Sequence, residues 1–259
     1  MEIKEVLPAP FAPIRIQRSP LFTSQFIESS IGLSAIKDRP LMSKILFIFF
    51  AFCDVCFIIK VFKNMKKENS GKKIIILASA SPRRSSLLAD ANIDFEKFVP
   101  NVTEEDSNGN PIELVKLNSL IKARAAAKLN RGRIVLGSDT VVALDGVVYG
   151  KPKDLVEAKN MLSVLAGRTH SVYTGVAFVE ISDSGEEKFS VDVEESKVQF
   201  RKLDSDAIDE YISKVNVLDK AGAYAAQECG SLIIESIEGN FDNVMGLPIK
   251  LVRSMLKDF

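Results

Sequence analysis

Residues 74–84 read Ile-Ile-Ile-Leu-Ala-Ser-Ala-Ser-Pro-Arg-Arg (IIILASASPRR), an apolar run that stops abruptly at a polar turn. Five consecutive apolar residues, Ile74 to Ala78, suit a short strand covered on both faces, as in a parallel sheet flanked by helices. Ser81 is a favourable N-cap and Pro82 fits the first helical position. The spacing therefore predicts a helix that starts here and carries Leu87 and Leu88 into a core. A buried strand turning directly into a helix is a building unit of the α/β class.

The alternation continues outward from this unit. Pro111 to Asn130 has apolar residues at 114, 117, 121 and 125, a helical spacing, and Gly132 closes it. Ile134 to Gly137 reads as a second buried strand, and VVALDGVVY around Asp145-Gly146 reads as a hairpin. A helix from about Asp154 to Ala166 should stop at Gly167. Two long strand-like stretches, Ser171 to Ile181 and Lys188 to Leu203, flank a polar Ser-Asp-Ser-Gly turn. Asp204 or Ser205 caps a further helix, Ser231 to Ile237 is expected as a strand, and Pro248 opens a final helix. No repeat or low-complexity tract interrupts the series.

Composition bounds what this unit can be. The 259 residues are 46% hydrophobic and 26% charged, enough for one sizeable core or two lobes sharing a cleft. Lys plus Arg (34) equals Asp plus Glu (34), so no global field argues for nucleic acid and none is expected as a partner. Three cysteines, Cys53, Cys56 and Cys229, are too few to staple a secreted domain; they suit a reducing compartment, and the cytoplasm is expected. Cys53-x-x-Cys56 is half of a zinc site, but only Cys229 and His170 remain to complete four ligands, so chance or packing is the preferred reading.

The first part of the chain does not match the rest. Residues 45–62 (ILFIFFAFCDVCFIIKVF) form an apolar run with basic residues on both sides and Asp54 inside it, too far from the start for an ordinary signal peptide. Residues 64–73 (NMKKENSGKK) read as a polar linker containing Met65. The preferred expectation is that translation begins at Met65 and that residues 1–64 are an over-extended frame. A membrane anchor at 45–62 and an interfacial helix are the alternatives. The expected organisation is an extension over 1–64, a flexible lead-in over 65–73 and an α/β domain over 74–259.

Three groups of residues could carry chemistry. Ser79-Ala80-Ser81-Pro82-Arg83-Arg84 places hydroxyls and two guanidiniums at a helix N-terminus, where unpaired N–H groups and the helix dipole favour a polyphosphate. Alone, it is explained as well by a capped helix with solvated arginines. Gly137-Ser138-Asp139-Thr140 follows a strand, so Asp139 is placed as a metal ligand or general base, although Asp after a strand is often only a turn-former. Lys122, Lys151 and Lys220 would ordinarily be solvated. Glu104, Glu105 and Asp106 read as a solvated acidic loop, or as the acidic cluster that holds Mg2+ beside a phosphate site.

Absences narrow the field. No G-x-x-x-x-G-K-[ST], G-x-G-x-x-G or G-x-S-x-G sequence occurs, so P-loop, Rossmann and α/β-hydrolase readings have no support. The single histidine, His170, reads as a structural residue at the start of a strand.

Taken in order, SASPRR (79–84), the Lys122-Ala-Arg helix, GSDT (137–140), GKP (150–152), LAGRTHSVYTGV (165–176), DKAGAYAAQ (219–227) and GLP (246–248) resemble the Maf family over residues 74 to 256. The resemblance implies a two-lobed mixed-sheet α/β fold with a deep central cleft, similar to that of inosine triphosphate pyrophosphatases. It implies hydrolysis of a nucleoside triphosphate to the monophosphate and pyrophosphate with a divalent cation, Mg2+ or Mn2+. Asp139 matches the proton acceptor. Ser79, Arg83, Arg84, Lys122, Lys151 and Gln227 match positions that line the cleft, and Glu104 or Glu105, one residue apart in the alignment, matches an acidic loop expected to hold the cation together with Asp139. Arg83, Thr140 and Gln227 match the branch acting on dTTP and UTP, whereas a 7-methyl-GTP branch carries other residues at the first two positions. Ala225, Ala226 and Glu228 depart from that branch, stiffening the loop and adding a negative charge. A nucleotide-binding regulator of septum formation is the alternative of another class. The long paired strands could support a homodimer, and no membrane partner is expected for the catalytic domain.

Overall fold

The structure is a computed structural model that describes residues 73–105 and 109–259. Residues 1–64, the apolar run 45–62, Met65, Cys53, Cys56 and Asp106 lie outside the described residues. Among those described, no helix is long and apolar enough to cross a membrane.

Strand β1 (Ile75–Leu77) is buried along its whole length, and helix α1 (Pro82–Asp90) begins at the expected N-cap, Ser81. The cap works differently from expectation. Ser81 makes no side-chain cap; the Ser81 N–H donates instead to the Ser79 hydroxyl at 3.1 Å. After β2 (Phe95–Lys97) comes α2 (Pro111–Leu129), capped by the Asn110 side chain on the Ile112 N–H at 3.0 Å. Then follow β3 (Val135–Leu144), β4 (Val147–Tyr149), α3 (Leu155–Leu165), β5 (Thr169–Ile181) and β6 (Glu187–Phe200). The last part comprises α4 (Ser205–Lys214), a 3-10 turn over Ala221–Ala223, α5 (Gly230–Ile233), β7 (Ile234–Glu238), α6 (Phe241–Met245) and α7 (Ile249–Leu256). Asp154 and Asp204 cap α3 and α4 by accepting from the Glu157 and Ala207 N–H groups.

The strands form one mixed sheet in the order β2-β1-β3-β5-β6-β7, with β4 paired to β3. This is the expected α/β class. Strands β1, β2 and β3 run parallel, and β3, β5, β6 and β7 are successively antiparallel. The long strands β3, β5 and β6 pass through two lobes. In one lobe Leu162 of α3, Phe200 of β6 and Tyr211 of α4 share a core; in the other Leu77 of β1, Leu88 of α1, Phe178 of β5, Leu247 and Val252 of α7 do.

Strand β3 departs from the sequence reading in a way that matters. It does not end at Gly137 but runs on to Leu144, ten residues in all, so Asp139 lies mid-strand. What ends is its neighbour. On one edge β1 pairs only with Val135 and Leu136, and β4 begins only at Val142, whereas β5 pairs with the opposite edge from Val135 to Ala143. The stretch 137–141 is thus a gap between two strands that succeed one another along the same edge. The gap is a cleft in a sheet that is otherwise continuous.

Helix α2 lies across β3 and β5 on one face. The spacing pointed to Leu114, Leu117, Ile121 and Ala125 as its inner face, but Leu117 is 46% exposed, and Val115, Ser119, Ala123, Ala126 and Ala127 are buried. Glycine explains the rotation. An added Cβ on Gly137 would come within 2.2 Å of the Ser119 carbonyl oxygen, and one on Gly175 within 2.2 Å of the Val115 carbonyl oxygen. Small residues on both partners let the helix backbone rest directly on the sheet, and that contact chooses the face. Ser231 to Ile233 also differs from expectation, forming a helical turn before β7, because the Ser231 carbonyl is drawn to the Arg201 guanidinium at 3.2 Å.

Gly175→Ala would press a methyl against main-chain atoms that cannot rotate away, at a cost of about 3 kcal/mol or more. Gly150→Ala, with nothing within 4 Å of the added Cβ, should cost within about 0.5 kcal/mol. Urea unfolding of the two variants checks this contrast.

Candidate active site

Strand parity sorts the GSDT residues onto two faces. Gly137, Asp139 and Val141 face α2, where they meet Ala123, Lys122 with Asn118, and the Leu114–Val115 pair in turn. Ser138 and Thr140 face the other way, toward Arg84 and the Gly246 turn. Asp139 is 7% exposed, and its Oδ1 lies 2.7 Å from the Lys122 ammonium. The same ammonium reaches Glu104 Oε2 at 2.8 Å. Two carboxylates from separate elements therefore share one cation at the cleft.

The second pole is the strand-to-helix turn of residues 79–84. Arg84 is not a free phosphate fork. Its Nε donates to the Gly246 carbonyl at 2.9 Å, Nη1 to the Ser138 carbonyl at 2.9 Å and the Ser79 hydroxyl at 3.2 Å, and Nη2 to the Thr140 hydroxyl at 3.1 Å. It supplies polar partners to the open edge of β3 where no strand does. Burial holds its pKa below the ordinary arginine value, with Asp139 opposing that shift. Arg83 is freer. It reaches across the cleft to Asp219, with Nη1 3.7 Å from the carboxylate and Nη2 3.4 Å from the carbonyl oxygen. Ser79 is nearly buried, and its hydroxyl accepts from both Ser81 and Arg84.

Lys151 and Gln227 are exposed on the cleft lining, and the Gln227 amide donates to Glu228 at 3.2 Å. Thr140 is held by Arg84 and by the Thr174 hydroxyl at 3.1 Å. Lys220, expected to be solvated, is 3% exposed; it donates to the Asn216 carbonyl at 2.5 Å and to Asp219 at 2.8 Å, and pairs with Glu228 at 3.4 Å. The charge of Glu228 is thereby balanced. The loop is further fixed where the Ala225 N–H donates to the Tyr211 hydroxyl at 3.0 Å. The cleft enclosed by these groups has a volume of about 1030 Å³, ample for a nucleotide.

Sequence reasoning passed over Asn118. It is 3% exposed and sits one turn before Lys122 on the same stripe of α2. A polar residue four positions from the site lysine on a mostly apolar helix was the available signal.

A divalent cation fits this donor set. Asp139 and Glu104 offer hard carboxylate oxygens that already converge on one ammonium, and Glu105 follows on the same loop with its side chain exposed. Among the described residues no three Asp, Glu, His or Cys side chains form a complete cage. Such a cation would draw the rest of its shell from phosphate oxygens and water.

A mixed-sheet protein with a cleft built from arginine, hydroxyl, lysine and paired carboxylates is equipped to handle a polyphosphate. The chain belongs to the Maf-like protein family, whose model matches residues 74–259. It is 44% identical over 188 residues to a dTTP/UTP pyrophosphatase of Dictyoglomus thermophilum, covering 71% of this chain and 95% of that protein. It is 46% identical over 184 residues to a dTTP/UTP pyrophosphatase of Thermoanaerobacter, covering 71% and 95%. Among solved structures, the Ham1 protein of Staphylococcus aureus aligns with 72% of this chain and 99% of its own at 18% identity and a TM-score of 0.40.

His170 stands apart from the chemistry. It is 2% exposed in β5, packs edge-on against Phe200 at 4.8 Å between ring centroids, and shares a 2.8 Å hydrogen bond with the Tyr224 hydroxyl. Burial lowers its pKa to about 4. In the unfolded chain it titrates near 6.5, so between pH 6.5 and 4 only the unfolded state gains the proton and stability falls as pH falls, by about 3 kcal/mol in all. Urea midpoints followed across this window should drop more steeply for the wild type than for His170→Gln.

Proposed function

We propose that this protein hydrolyses dTTP and UTP to the monophosphate and pyrophosphate, as the names of its relatives state for them. The observation that carries the reading is the facing arrangement of Asp139, Lys122 and Glu104 on one wall of the cleft and the Ser79–Arg84 turn on the other. Arg83 and Lys151 are suited to bind the phosphate oxygens, with Ser79 contributing its hydroxyl and Lys122 neutralising charge between the carboxylates. Asp139 accepts the proton of the water that attacks the α-phosphorus, and the bond to the bridging oxygen breaks with its electrons leaving on pyrophosphate. A divalent cation, Mg2+ or Mn2+, held by Asp139 with Glu104 and Glu105, would offset charge on the phosphates. Arg83, Thr140 and Gln227 are the residues proposed to read the pyrimidine nucleotide. Three cysteines in the whole chain, with Cys229 exposed and free, support a cytoplasmic location.

In a pyrophosphate-release assay with Mn2+ or Mg2+, the full chain should turn over dTTP and UTP in preference to ATP and GTP. Asp139→Asn should lower kcat by at least about 100-fold, in the range of general-base loss, while nucleotide binding persists. Near-wild-type turnover by that variant contradicts the assignment of the base.

A further inference from the structure

We propose that Asn118 is a positioning residue of this reaction: it clamps the acidic loop onto Asp139 and so sets the spacing of the carboxylates that share the divalent cation. The inference rests on the pyrophosphatase reading above and adds a residue that acts through the carboxylates.

The geometry uses the whole Asn118 amide. Its Oδ1 accepts the Glu105 N–H at 2.8 Å, and its Nδ2 donates to the Glu105 carbonyl at 3.1 Å. That pair imitates one rung of a strand ladder, where the described residues 98–105 belong to no strand of their own. The second Nδ2 hydrogen points to Asp139 Oδ2 at 3.4 Å. One side chain thus touches the loop that carries Glu104 and Glu105 and the carboxylate on β3. Lys122, a turn later, closes the same arrangement from Asp139 Oδ1 to Glu104.

The orientation of the amide is determined by its partners. A flipped amide would set its oxygen against the Glu105 carbonyl and the Asp139 carboxylate, three acceptors with no hydrogen between them. Burial at 3% exposure leaves little water to compensate a lost bond. With the amide removed, Asp139 would stay on Lys122, but the Glu105 main chain would lose its partners on α2. At its acidic tip the loop would then keep the half-exposed Glu104 pair with Lys122.

The test titrates Mn2+ against wild type, Asn118→Ala and Asn118→Leu, reading free Mn2+ by electron paramagnetic resonance with a non-hydrolysable α,β-imido analogue of dUTP present. The leucine variant keeps the volume without the hydrogen bonds, should alanine fail to fold. Mn2+ affinity is expected to fall about 10- to 100-fold, as when the support of a metal ligand is removed. The metal concentration for half-maximal turnover should rise in parallel, and kcat at saturating Mn2+ should recover most of its wild-type value. A folded variant with wild-type Mn2+ affinity overturns the role of Asn118 and leaves the pyrophosphatase reading intact. A wild-type protein that binds no Mn2+ beside the analogue overturns both.

Discussion

Everything in the site depends on a break in one edge of the sheet. Between Leu136, the last partner of β1, and Val142, the first partner of β4, strand β3 keeps its β5 neighbour on one side and, among the described residues, has no strand on the other. A mid-sheet edge exposes main-chain acceptors that must be met. Here Arg84 meets the Ser138 carbonyl, and the turn that carries Arg84 stands in the place where β1 would have continued. The need to satisfy the edge and the need to bring cations to a cleft are answered by one strand-to-helix junction.

The opposite wall is set by contact distance. Because Gly137 and Gly175 lack side chains, α2 rests on the backbone of β3 and β5, and Gly175 stands directly across the ladder from Asp139. A helix seated higher would lift Lys122 away from the carboxylate it now meets at 2.7 Å. Packing and charge are therefore coupled: the small residues of α2 choose the face, and the face delivers Asn118 and Lys122 to Asp139.

Much of this was legible in the residues. The strand-turn-helix at 74–84, the Asp145-Gly146 hairpin, the helix starts near Asp154 and Asp204 and the two long strands follow from local pattern, because each depends on neighbours a few positions away. The inner face of α2 was not, since Leu117 is apolar yet the sheet glycines that exclude it lie 20 and 58 positions further along the chain. The extent of β3 was missed for a related reason, as GSDT looks like a turn until β5 pairs with it. Among the residues singled out, Asp139, Arg83, Lys122 and Glu104 line the cleft, the last two having read from pattern alone as solvated charges. Arg84 proved a structural hub, and buried Lys220 a partner of Asp219 and Glu228, because neither role can be read without the backbone carbonyls and acids that the fold brings to them.

Hydrolysis in H2(18)O tests most directly whether water attacks the α-phosphorus, as the proposed role of Asp139 requires. With dTTP as substrate, a single turnover analysed by mass spectrometry should place one 18O in the thymidine monophosphate and none in the pyrophosphate. Label in the pyrophosphate would mean attack at the β-phosphorus and would contradict the placement of water between Asp139 and the nucleotide.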